Sequence, residues 1–286
     1  MFLIRNPEKL FQRRLGLETP HKSKRSVHPI AILTDFGNRD PYVGMMKGVM
    51  VSISAEALLV DISHEIEPQN LIQARYYLAA SYRYFPRGTI FLCVVDPGVG
   101  TSRKAVCLKT KDHYFVGPDN GIFGFLQGRG VVVREIENPR FQLLSRKIFS
   151  TFHGRDIFAP AAAVLARDGM HAFRRMGRRV RIIKTLDYPH VKKTKDCLKG
   201  EILFFDHFGN AITNIMAGDY EQPKRKESCV FVRRRCIGPI QRCYGDGVKG
   251  LMAFWNSTGS LEIAKPGGSA KKTGSLLVGD PIMVRF

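Results

Sequence analysis

The sequence predicts an α/β domain with a mostly parallel sheet, followed by a smaller all-β domain. Three observations carry this reading. Apolar runs of strand length alternate with helix-length segments through the first two-thirds of the chain. Acidic residues stand at or near the ends of these runs, and after about residue 195 only short strand-like pieces follow. A strand covered by helices on both faces reads as a continuous apolar run, and alternation of such runs with helices builds βαβ units.

The elements follow in order. Residues 1–28 are polar and basic without apolar periodicity, and they read as a basic flexible tail. Pro29 to Thr34 is the first strand, closing on Asp35-Phe36-Gly37. Tyr42 to Ser54 reads as a buried helix, Leu58 to Ile62 as the second strand with Asp61 near its end, and Asn70 to Tyr84 as the next helix. Gly88 to Asp96 is the third strand, apolar from Ile90 until Asp96. In open α/β sheets ligands bind beyond the carboxyl ends of the strands, so this edge is where chemistry is expected. The basic stretch Arg174 to Lys199 reads as the connection between domains. Beyond it come Glu201–Phe205, Ala211–Ile215, Cys229–Val232, Gly250–Trp255, Leu261–Ala264 and Pro281–Val284, separated by Gly, Asn, Asp and Pro turns, with no convincing helix. That pattern is a small barrel or sandwich.

Composition narrows the function classes. Hydrophobic residues at 44% and charged residues at 24% belong to a globular chain. No apolar run reaches the roughly 20 residues that cross a bilayer, and the N-terminus has no secretory pattern, so a cytoplasmic protein is expected. The formal charge of +20 raises a polyanion-binding alternative. Its clusters, in the tail, from Arg174 to Lys195 and from Lys224 to Arg235, do not interleave aromatics as a single-strand platform does. Nucleic acid is therefore not the expected partner. The six cysteines form no C-x-x-C pair; Cys229, Cys236 and Cys243 are spaced by seven without nearby histidines. This argues against a zinc site and against a disulfide framework.

Glycine-rich nucleotide signatures are missing, and Ser269 to Lys272 matches S-x-x-K without the partner motifs that would give it meaning. Five polar–glycine clusters remain: Thr34 to Gly37 with Asp40, Val95 to Arg103, Gly117 to Gly121, Thr151 to Asp156, and Asp206 to Asn214. Singly each could be a turn, and for Gly117-Pro118-Asp119-Asn120-Gly121 the structural reading leads.

Together the clusters resemble the S-adenosylmethionine hydrolase family (S-adenosylmethionine hydroxide adenosyltransferases), relatives of the fluorinase and chlorinase enzymes. Asp61 to Ile66, Asn256-Ser257-x-Gly259 and Val278 to Pro281 extend the resemblance from about Ile30 to the C-terminus. It implies a Rossmann-like α/β domain over 29–194 and a β-barrel domain over 195–286. It also implies a homotrimer with the site between subunits, and S-adenosyl-L-methionine as substrate, with no cofactor and no metal. The family's Asp, Arg and His trio falls on Asp96, Arg103 and His153, which would handle the attacking water. By the same resemblance Asp35 takes the ribose hydroxyls, Asp206 the methionine ammonium, Phe208 and Asn210 the adenine, and Ser257 the methionine carboxylate. The Arg235–Lys249 loop keeps only an approximate Tyr-x-Asp match, at Tyr244 and Asp246.

Two rivals stand beside hydrolysis: a halide-using relative, and an inactive basic nucleic-acid-binding protein on the same fold. The trio, which the halogenating relatives lack, separates the first. Since the tail carries no periodic apolar pattern, a chain beginning near Val27 should remain soluble and as active as the full chain. Loss of soluble protein on deletion would assign the tail a packing role.

Overall fold

The computed structural model describes residues 28–128, 130–143, 150–220, 228–245 and 249–286. The tail expected over 1–28 lies outside them apart from His28, as does Asp246.

The first domain is a seven-stranded sheet in the order β2-β1-β3-β5-β4-β6-β7. The strands are β1 Ile30–Thr34, β2 Leu59–Ser63, β3 Ile90–Val94, β4 Ala105–Lys109, β5 Tyr114–Pro118, β6 Val132–Glu135 and β7 Arg179–Val180. Helix α1, Tyr42–Ile53, joins β1 to β2; α2, Leu71–Ser81, precedes β3; α3, Ala159–Arg175, follows β6. Both β1 and β3 are buried throughout, and alternation splits their side chains between two cores. Ile30, Ile32, Ile90, Leu92 and Val94 pack with Met46 and Met50 of α1 and the alanine-rich face of α3. Ala31, Leu33, Phe91, Cys93 and Val95 meet Ala74 and Leu78 of α2. Cys93 and Cys107 are fully buried in these cores, as their apolar settings predict.

The sheet is mixed, not mostly parallel. Strands β2, β1, β3 and β5 run parallel, whereas β5–β4, β4–β6 and β6–β7 are antiparallel. The reason is local: the Thr110 N–H bonds the His113 carbonyl, closing the β4–β5 turn, and so short a link can join only antiparallel strands. The stretch from Arg174 is also more than a connection, since β7 completes the first sheet and Ile183 is buried in its core.

The second sheet runs β12-β11-β16-β9-β10-β15-β14-β13, with β8 on β9. Its strands are β8 Lys192–Lys193, β9 Cys197–Phe205, β10 Ala211–Met216, β11 Cys229–Val232, β12 Arg235–Gly238, β13 Ile240–Gln241, β14 Met252–Trp255, β15 Ser260–Ala264 and β16 Pro281–Arg285. Only Pro239 separates β12 from β13, the two ends of the path, so the sheet curls into a nearly closed barrel. A short helix absent from the sequence reading, α4 Ala270–Gly274, sits here; the Ser269 side chain caps it by accepting from the Lys272 N–H. The S-x-x-K match is this cap.

One disulfide corrects the reading of the cysteines: Cys229 pairs with Cys236. A turn at Arg233, with φ of 56°, folds β12 back on β11 and brings the two cysteines to a Cα separation of 6.6 Å. The domains meet where Phe204 of β9 packs edge-on against Tyr76 and Tyr77 of α2 and Tyr76 bonds the Thr258 hydroxyl. Among the described residues no helix is long and apolar enough to cross a membrane.

Leu92 is fully buried on the central strand β3. Leu92→Ala should lower unfolding free energy by about 2–5 kcal/mol, the range for a truncated core leucine, in a urea titration of the α/β domain's transition. A loss well below that range would contradict the packing described.

Candidate active site

Asp35 and Asp96 arrive at one end of the sheet because β1 and β3 pair in register, Thr34 opposite Val94. The two carboxylates leave adjacent strands within about a residue of the same level. The turn after β5 braces this edge: the Asn120 amide donates to the Val95 carbonyl at 2.7 Å, and Asp119 accepts the Lys184 N–H at 2.8 Å. The Gly117–Gly121 cluster is thus structural in its contacts. Beside it, His153 stands just before a π-helical turn, Gly154–Phe158, that leads into α3. Such wide turns recur at functional sites because they displace side chains from helical register.

These pieces enclose a cleft of about 700 Å³ lined by Asp35, Phe36, Tyr42, Gln69, Asp96 and His153 among others. Arg103 is not on its lining but joins two residues that are, Asp96 and His153. The guanidinium grips Asp96 through Nε, at 3.1 and 3.0 Å from the two oxygens, and through Nη2. The same Nη2 lies 2.8 Å from His153 Nδ1, and the Arg103 Cζ stands 5.0 Å from the centroid of the Phe158 ring. Side chains of Arg103 and Asp96 are only 5% and 6% exposed, so the pair is shielded from the solvent that makes surface ion pairs weak.

The contact with His153 fixes a tautomer. A guanidinium has donors and no acceptor, so Nδ1 must accept, and the neutral ring carries its proton on Nε2. Burial, and then the charge of Arg103, hold the His153 pKa below the usual histidine value, against the opposing pull of Asp96 and Asp156. Burial likewise pushes Asp35 up, with Asp96 adding repulsion, while the Gln69 N–H, 2.8 Å from Oδ2, works the other way. Gln69 reaches that position with φ of 65°, in the left-handed region a side chain rarely adopts.

The trio and Asp35 are therefore together. The four β-domain residues are elsewhere, since every residue lining the cleft belongs to the α/β domain. Asp206 accepts the Phe208 and Asn210 N–H groups at 3.0 and 2.8 Å. The buried Asn210 amide donates to Asp206 and to the Tyr244 hydroxyl, which in turn donates to Glu262. Phe208 is 74% exposed and Ser257 is exposed on its turn. The sequence reading gave no role to Phe36, Tyr42, Gln69, Phe152 or Arg155, although Phe36, Phe152 and Arg155 fall inside the clusters it singled out. Phe36, Tyr42 and Phe152 pack edge to face at 5.4–6.0 Å and form the apolar wall.

The fold and this cleft define a two-domain enzyme. Profiles of known families agree: the SAM hydroxide adenosyltransferase N-terminal domain matches residues 30–176, and the C-terminal domain of the same family matches 200–283. The chain belongs to the SAM hydroxide adenosyltransferase family. It is 37% identical to the (R)-S-adenosyl-L-methionine hydrolase of Thermus thermophilus, over 90% of this chain and 99% of that one. A crystal structure of a conserved protein from Thermotoga maritima superposes with a TM-score of 0.80 at 37% identity, covering 90% of this chain and all of the other. The fluorinase of Actinopolyspora mzabensis is more distant, 24% identical over 67% of this chain and 73% of its own.

If Arg103 depresses the His153 pKa, the imidazole should titrate below 6.5 in the wild type and move upward in Arg103→Met. That variant removes the repelling charge and leaves Asp96 to favour the imidazolium. Proton NMR of the His153 ring reads the midpoint, and a downward move or no move would remove Arg103 as a cause.

Proposed function

We propose that the protein hydrolyses S-adenosyl-L-methionine to adenosine and L-methionine at the Asp96–Arg103–His153 cleft. The observation that carries the reading is the guanidinium bridge from Asp96 to His153 in a chain of this family. Water attacks the ribose 5′ carbon, the carbon–sulfur bond breaks, and its electron pair goes to sulfur. Methionine leaves as a neutral thioether, so the leaving group needs no acid and the reaction no metal or organic cofactor. Asp96 orients the water and takes its proton; its carboxylate has acceptor sites beyond those Arg103 occupies. Arg103 steadies the developing hydroxide as a permanent charge. His153, protonated on Nε2, donates to the water's oxygen and fixes its line of attack. His153 is thus a donor and not the base, because its Nδ1 is already engaged.

Charge favours water over halide. Asp35 and Asp96 both face the cleft; Arg103 pairs with Asp96, and Arg155 on the same lining pairs with Asp156. Among the described residues Asp35 is therefore the carboxylate without a cationic partner there, which suits a sulfonium cation better than a free anion. Asp35 takes the ribose hydroxyls in this reading. Asp206, Phe208, Asn210 and Ser257 complete the pocket from a neighbouring subunit of a homotrimer. The exposure of Phe208 and Ser257, and a cleft walled by one domain alone, support that arrangement.

Incubation with S-adenosyl-L-methionine should give adenosine and methionine in equal amounts, and saturating chloride should give no halogenated adenosine. Asp96→Ala and His153→Ala should each slow turnover by about a hundredfold or more. Methylthioadenosine or a chlorinated nucleoside as product would overturn the reaction. Activity should also fall toward acid. The lowered His153 pKa keeps the ring neutral above its own midpoint; protonation below it puts a proton on Nδ1 against Arg103 and breaks the bridge. For assembly, mixing inactive Asp96→Ala chains with inactive Asp206→Ala chains should restore some turnover. No recovery despite proven subunit exchange would place the whole site in one chain.

A further inference from the structure

The Asp61 to Ile66 segment is a motif of the sequence that the proposed reaction leaves without a task. Its histidine is only 3% exposed, yet it sits on no wall of the cleft. The β1–β2 pairing slips at this point: Ile32 lies opposite Asp61 but Leu33 opposite Ser63, so Ile62 is skipped. A bulge of this kind redirects the residues that follow it. Just beyond it, His64 reaches across to the end of β1. Its Nδ1 lies 2.8 Å from the Thr34 hydroxyl, which is wholly buried and itself accepts the Phe36 N–H at 3.3 Å. The His64 carbonyl accepts the Gly37 N–H at 2.8 Å, and next door Glu65 accepts the Asn38 amide at 2.7 Å. On its far side His64 Nε2 is 3.1 Å from Asp61 Oδ1, off the line of a good hydrogen bond but close enough for attraction. Asp61 is anchored in turn by Lys47 of α1 at 2.6 Å.

The segment between these contacts is Asp35. Every backbone neighbour of that carboxylate, Thr34 before it and Phe36, Gly37 and Asn38 after it, is tied to the His64 segment or to the Thr34 hydroxyl that His64 holds. We infer that His64 is a positioning residue: through Thr34 it sets the aim of the Asp35 carboxylate at the ribose hydroxyls. The inference rests on the proposed role of Asp35. The nearness of Asp61, itself held by Lys47, favours the tautomer with the proton on Nε2, in which Nδ1 accepts from Thr34. A carboxylate that must meet two vicinal hydroxyls at once tolerates little rotation, so a loosened turn costs recognition of that pair before it costs the fold.

The test compares affinity for adenosine and for 2′-deoxyadenosine by calorimetry on the full chain, with melting temperature and kcat and KM alongside. The wild type should prefer adenosine by about tenfold or more, since a hydrogen bond to a charged group is at stake. Thr34→Val, which keeps shape and removes the hydroxyl, should bring the preference close to one and raise KM with kcat much less affected. Thr34→Ser should restore both. His64→Leu probes the same link from the other side and serves if Thr34→Val does not fold. Folded Thr34→Val or His64→Leu protein with an undiminished adenosine preference would overturn the positioning role. Asp35→Asn is the separate control: an unchanged preference there would refute Asp35 as the ribose ligand, and with it the premise, whereas its collapse alone would refute only the part given to His64.

Discussion

The site depends on one guanidinium. Arg103 lies between a carboxylate and an imidazole that come from distant parts of the chain, and it hydrogen-bonds both. Placing two donors on Asp96 and one on His153 Nδ1 determines which atoms are left to act. The carboxylate keeps spare acceptor capacity, and the imidazole keeps one proton, on Nε2. A lysine could supply the charge but not this planar fork, so the division of labour follows from side-chain geometry as much as from charge. Burial makes the arrangement count, because the same contacts on an exposed surface would be worth little.

Around that bridge the structure is organised to keep neighbouring groups fixed. The floor is a sheet buried on both faces, with α1 and α3 on one side and α2 on the other. The turn after β5 steadies the backbone before Asp96, and a left-handed Gln69 supplies an N–H to Asp35. Strain and buried polar contacts of this kind are costly in a generic fold, and they collect where chemistry has to be aimed.

The legible parts of the sequence were those written as runs. Ile30–Thr34 and Ile90–Val94 are apolar because both faces are covered, and that signal is local. Asp96, Arg103 and His153, which the structure brings together, stood out because they sit in dense polar–glycine clusters and in a motif train that runs the length of the chain. What escaped depends on partners far away in sequence. Strands β4 and β5 turn about Thr110–His113, which lacks the Asn-Gly or Asp-Gly signature of a tight hairpin, so the antiparallel half of the sheet was missed. The cysteine spacing of seven carried no pattern until the turn at Arg233 folded it back. The His64–Thr34 contact spans 30 residues, and no periodicity announces such a contact.

The in-register pairing of β1 with β3 has a consequence for how such a site can change. Adjacent strands in any sheet are held about 4.8 Å apart by backbone hydrogen bonds, whatever their side chains. Thr34 and Val94, the strand ends just before the two acidic groups, pair across neighbouring strands of that lattice, so the spacing of those strand ends is set largely by a constant of backbone geometry and not by loop length. Substitutions in the flanking loops can therefore widen, narrow or repaper the pocket while the strand ends that lead into its acidic residues stay on the same ruler. A cleft built this way is free to vary in what it admits and conservative in the charge it presents.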